Sequence, residues 1–169
     1  MKHEPPSRGR LFVLIVNRQR KHAVRKDRII RLLDQAAATL GIGGEIAVVF
    51  AGDALLRRLN RDYRFKDKPT DVLSFESKDA DVGLGDIVIS VETARANALR
   101  FGRTLDHELE ILALHGFLHV LGYDHENDRG QMEALETRLR RLLIGRRPAH
   151  GVLGPGLPQA EAPVVGVRP

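Results

Sequence analysis

The chain has 169 residues, 43% hydrophobic and 29% charged, a length and balance that suit one soluble globular domain rather than a disordered or membrane protein. It contains no cysteine, so disulfides and thiolate metal ligands are both excluded and any metal must rest on His and carboxylates. A net charge of +5 and a pI near 10 lean toward polyanionic partners such as RNA, although a surplus of this size is common in proteins that touch no nucleic acid.

Residues 1–10 are polar and carry Pro5, Pro6 and Gly9, which reads as a flexible tail. LFVLIVN at 11–17 is a β-rich run whose apolar stretch is too short to span a bilayer, and no small-residue cleavage site accompanies it, so neither membrane insertion nor export is expected. Apolar residues at 29, 32, 33, 36, 37 and 40 have helical spacing, and Gly41, Gly43 and Gly44 end that helix. EIAVVFA at 45–51 reads as a second strand, and Asp53 is placed to cap a helix through Leu55, Leu56 and Leu59. DVLSFE at 71–76 alternates apolar and polar residues, DIVISV at 86–91 is another β-rich run, and residues 92–100 look helical. Two further helices are expected over 105–121 and 126–144, the second with Met132, Leu135, Leu139, Leu142 and Leu143 on one face. Residues 145–169 hold five of the eight prolines and read as a disordered Pro/Gly-rich tail. The expected fold is therefore one α/β (α+β) domain over 11–144, with about four strands and the His-bearing helix packed on the sheet.

ALHGFLHVLGYDHE at 113–126 carries the main chemical signal. His115 and His119 stand four apart on a helix, so both imidazoles project from one face and can reach a common ion. Gly122 can take the left-handed conformation that ends a helix and turns the chain back, bringing His125 to the same ion. Three neutral imidazoles leave a tetrahedral zinc one open position, the layout of a catalytic site rather than a closed structural one. A lone His is usually structural, and His107, poorly aligned with the pair, is read that way; His3, His22 and His150 receive no role. The triplet resembles the H-E-x-x-H-x-x-G-x-x-H pattern of metzincin peptidases, but the position of their general-base Glu is Gly116 here, which can move no proton.

HGFLHVLGYDH at 115–125, LNRDYRFKDKPTDVLSF at 59–75 and GDIVIS at 85–90 together resemble the YbeY family of bacterial endoribonucleases. The resemblance covers roughly residues 11–144. It implies a mixed sheet, one zinc per chain on His115, His119 and His125, and a cytoplasmic enzyme that cleaves single-stranded RNA at the 3′ end of 16S rRNA. It further implies a part in ribosome quality control and association with the small ribosomal subunit and ribosomal proteins. No DNA partner is expected. The family's functional Arg falls on Arg64, so the expected catalytic residues are Arg64, His115 and His119. The chain departs from the pattern by its long C-terminal tail and by Glu76, where many relatives have Pro.

Arg64 makes sense beside a metal, since a permanently charged guanidinium can hold two phosphate oxygens as negative charge builds in the transition state. Otherwise it is one of a surface run with Arg57, Arg58, Arg61, Lys66 and Lys68. The turn at Pro69 and Thr70 is placed to present Arg64 or the Thr70 hydroxyl to a groove. Asp124 either orients a ligand imidazole or caps the next helix, and Asp86 is read as structural. Basic residues at 17–28 and at 138–147 suit phosphate contacts that position RNA without reading bases. Two Tyr and no Trp argue against extensive base stacking. A zinc-containing ribosome-assembly factor with little nuclease activity is the alternative, and a peptidase is disfavoured by Gly116.

Overall fold

The computed structural model describes residues 9–79, 82–145 and 166–167. Strand β1 (Leu11–Asn17), helix α1 (Lys26–Leu40) and strand β2 (Gly44–Ala51) form a first crossover, with β1 and β2 parallel. Helix α2 (Asp53–Arg64) leads into β3 (Val72–Glu76), which turns back beside β4 (Gly85–Ser90) as its antiparallel neighbour. β4 itself runs parallel to β2, so the sheet is mixed. Helices α3 (Val91–Arg100), α4 (Leu105–Val120) and α5 (Gln131–Leu139) follow, and a π-helical turn at Arg140–Ile144 continues α5. A two-residue strand β5 (Gly166–Val167) pairs with β3, giving the order β1-β2-β4-β3-β5. The four main strands are those expected. Most of the two predicted tails, including Arg146, Arg147, His3 and His150, lies outside the described residues.

The larger core lies on one face of the sheet, where α1, α3 and α4 cover Ile46, Val48, Phe50, Val72, Ile87 and Ile89. α4 is apolar nearly all round and buried over most of its length, as a helix sandwiched between a sheet and other helices must be. Each fully buried Leu, Ile or Phe, such as Leu114, Phe117 and Leu118, contributes about 1.5–3 kcal/mol relative to exposure. On the opposite face α2 covers Leu73 and Val88 through Leu56.

α4 lies very close to the sheet at one point. A Cβ added at Gly116 would stand 2.7 Å from Ile87 Cγ2 and 3.0 Å from Ser74 Oγ, while Ser74 Oγ donates to the Gly116 carbonyl at 3.0 Å. The residue after His115 therefore has no room for any side chain, and a Glu there would be driven into the sheet.

Three local expectations change. Asp53 does not cap α2; its carboxylate instead accepts from Ser90 Oγ and from Thr93 Oγ1 (2.6 Å), tying α2 to the start of α3, where Ser90 is the N-cap. α5 starts at Gln131 rather than 126, because Asp128 accepts from the backbone N–H groups of Gly130, Gln131 and Met132 at 2.8, 3.1 and 2.7 Å. Part of the basic 17–28 stretch is neutralised: Arg28 makes a bidentate pair with Glu110 (3.0 and 2.8 Å) that lashes α1 to α4, and Lys21 binds Glu92 at 2.6 Å.

Candidate metal centre

His115 and His119 sit one turn apart near the C-terminal end of α4, where the helix emerges from the core. Its end is built as the sequence suggests: Gly122 has φ 90°, its N–H donates to His119 O at 2.9 Å, and Tyr123 N–H donates to Leu118 O at 3.1 Å. The chain turns back and delivers His125. One nitrogen from each of the three rings lies within 4.8 Å of the other two, and the ring centroids are 4.9 to 6.0 Å apart. His119 is buried, His115 half-buried and His125 exposed, so the cluster is walled on one side and open on the other.

Nε2 of His115 and Nε2 of His119 are both buried without a hydrogen-bond partner among the described residues. A buried imidazole nitrogen left unpaired loses hydration with no return. Two such atoms converging with a third imidazole are the donor set of a divalent transition metal, and an ion there removes the cost. Burial first, and then the neighbouring rings of His115 and His125, lower the His119 pKa to about 4, so its ring is neutral and able to ligate at neutral pH.

The ring of His115 is oriented by a residue that the motif does not include. Its Nδ1 lies 2.8 Å from Glu136 Oε2, on α5, and Glu136 also binds Arg140 one turn later. Burial pushes the Glu136 carboxyl up, but His115 and Arg140 outweigh it and hold the group below its ordinary value, so it is ionised. A carboxylate at Nδ1 places the ring proton there and leaves Nε2 bare toward the cluster. Glu136 is 9% exposed between Met132 and Leu139, both fully buried. An acidic residue at i+4 and i−3 of core positions is a signal readable in the sequence.

Asp124 does neither of the things expected of it. Its carboxylate accepts from Asn127 Nδ2 and from the Glu126 N–H (3.0 Å), bracing the turn that carries His125, and the Asn127 bond holds its pKa down. His107 stays outside the cluster, in the first turn of α4, with its N–H on Thr104 Oγ1. Thr70 is buried, so its hydroxyl is not offered to a groove.

Arg64 closes α2 and is half-buried, with no hydrogen bond or ion pair among the described residues. Burial lowers its pKa, and the charge that acts against this is Glu126, the residue after His125. The guanidinium thus feels the charge of the loop that carries the third His. Tyr63 packs edge-on against Phe75 of β3 with ring centroids 5.3 Å apart, which seats this helix end over the strand. Phe65 follows in the left-handed conformation at φ 59°, the one non-glycine with positive φ among the described residues, at a cost of about 1 kcal/mol.

Fold and cluster together define an α+β domain with a zincin-like arrangement of three His. The chain belongs to the YbeY endoribonuclease family: residues 14–143 match the family profile described as Endoribonuclease YbeY. A relative of that name from Solibacter usitatus is 49% identical over 120 residues, covering 71% of this chain and 80% of the relative. Another, from Geobacter metallireducens, is 38% identical over 142 residues, covering 78% and 95%. The fold is similar to the solution structure of a Thermotoga maritima protein, with TM-score 0.58 and 24% identity over 79% of this chain and 90% of that one.

Proposed function

We propose that the chain is a zinc-dependent endoribonuclease that cuts single-stranded RNA, and that its substrate is the 3′ end of 16S rRNA in ribosome maturation and quality control. Family membership supports the RNA-cleaving role. The observation that carries the metal dependence is the pair of unpartnered, buried Nε2 atoms converging with His125. In this reading His115, His119 and His125 hold one ion, zinc being the metal that best suits an all-imidazole tetrahedral set. A divalent ion there supplies Lewis-acid charge at the scissile phosphate and acidifies an attacking oxygen.

The chain's own residues do the rest. Glu136 keeps the Nδ1 proton of His115 in place, and the wall behind His119 excludes water from one side of the site. Arg64, charged and with no ion pair among the described residues, holds the nonbridging phosphate oxygens as their charge grows. Gly116 leaves the position of a peptidase base empty, which suits a phosphodiester whose ribose 2′-OH is an internal nucleophile better than a peptide bond. Arg18, Arg20, Arg138 and Arg141 remain for phosphates farther along the strand, and small-subunit RNA and ribosomal proteins in the cytoplasm are the proposed partners. No helix among the described residues is long and apolar enough to cross a membrane.

The test is cleavage of a labelled single-stranded RNA and its matched duplex by metal-loaded and chelator-stripped protein. Metal-dependent cutting of the single strand alone is expected. A protein that binds metal and RNA but cuts neither substrate across the pH range from 6 to about 9, which brackets the ionisation of zinc-bound water, would instead be an assembly factor.

A further inference from the structure

Phe65 is the most exposed large hydrophobic side chain among the described residues, at 91%. It packs into neither core cluster. Its backbone sits at φ 59°, where glycine is at ease and an aromatic residue is not. Folding gains nothing from this ring.

The backbone beneath it is nevertheless firmly held. Phe65 N–H donates to Arg61 O at 3.0 Å and Lys66 N–H to Asn60 O at 3.3 Å. The buried Asn60 side chain donates to Lys68 O at 2.9 Å, and Arg57 clamps Asp67 through a bidentate pair at 2.8 and 3.1 Å. The loop is tied down by these bonds while its apex ring stands in solvent. In the chain it is flanked by half-buried Arg64 and by exposed Lys66 and Lys68, none with an ion-pair partner among the described residues, whereas Arg57 and Arg61 are engaged by Asp67 and Asp62.

A flat ring beside a phosphate-holding Arg and free cations is the pattern by which proteins take a single-stranded nucleotide: charge for the phosphate, stacking for the base. We propose that Phe65 is the stacking platform for an unpaired base of the substrate, next to the phosphate held by Arg64. This rests on the single-stranded RNA reading above and gives it a physical cause, because a base still paired in a duplex cannot turn onto the ring. Stacking on a π-face tolerates any base, with purines favoured by their larger overlap.

The experiment uses metal-loaded protein and a short single-stranded RNA carrying one 2-aminopurine, protected from cleavage by 2′-O-methyl riboses and phosphorothioate linkages. Stacking quenches 2-aminopurine fluorescence, which a purely structural role for Phe65 would not do. Wild type is expected to bind and quench. Phe65→Gly suits the φ and should fold at least as well, yet it and Phe65→Leu should bind about tenfold more weakly and lose the quenching, while Phe65→Trp restores both. An RNA with an abasic nucleotide in place of 2-aminopurine should bind wild type as weakly as the Gly variant binds the intact strand. If wild type binds and the Gly and Leu variants bind and quench equally, the stacking assignment is overturned and the nuclease reading stands; if wild type binds no single-stranded RNA, both fall.

Discussion

The histidine end of α4 and the C-terminal end of α2 are built on opposite principles. His115 and His119 are rooted in a buried helix, with His115 turned by Glu136 and both Nε2 atoms hidden from water. Arg64 and its neighbours Phe65, Lys66 and Lys68 are half-buried or exposed, and none has an ion-pair partner among the described residues. The contrast fits the ligands proposed for each. An ion demands donors fixed before it arrives, whereas a polyanion that comes and goes needs charges not already spent on the protein.

If the division is real, the two regions fail differently. Arg64→Ala should lower kcat for RNA cleavage by about a hundredfold to a thousandfold, the scale of losing one transition-state contact, with bound metal unchanged. Arg64→Lys should recover little, because a point charge does not reproduce the fork. Loss of metal in the Ala variant would show that the two regions are one. Glu136→Gln should do the reverse and less: metal affinity about 10- to 100-fold lower, measured by competition with a chelator, with cleavage returning at saturating metal. Unchanged affinity would reduce Glu136 to a packing residue.

Local pattern makes the histidine site legible in the sequence. Four-residue spacing on a helix and a glycine that reverses the chain are short-range facts, and they place His115, His119 and His125 together. The strand order is not readable in the same way, since the placing of β4 between β2 and β3 rests on long-range pairings. The reach of Glu136 to His115 is hidden for the same reason: it depends on α5 folding back onto α4, though an acidic residue among core positions hints at it. Asp53 and Arg28 depart from the roles their local sequence suggests because their partners, Ser90 with Thr93 and Glu110, are distant along the chain. α5 starts later than its periodicity implies because the Asp128 carboxylate gathers the N–H groups of Gly130, Gln131 and Met132 at its first turn. Phe65 is invisible in composition, where two Tyr and no Trp argue against stacking; one ring in an unusual backbone conformation is a property of the folded chain alone.

Everything proposed for this site depends on three imidazoles of the chain holding one metal ion. Elemental analysis of protein purified without added metal, with X-ray absorption at the edge of whichever metal is found, tests it directly. The account predicts one ion per chain with three imidazole nitrogens at about 2.0–2.1 Å for zinc, and its loss in His119→Ala. An ion bound equally by that variant, or a coordination shell without imidazole, would contradict it.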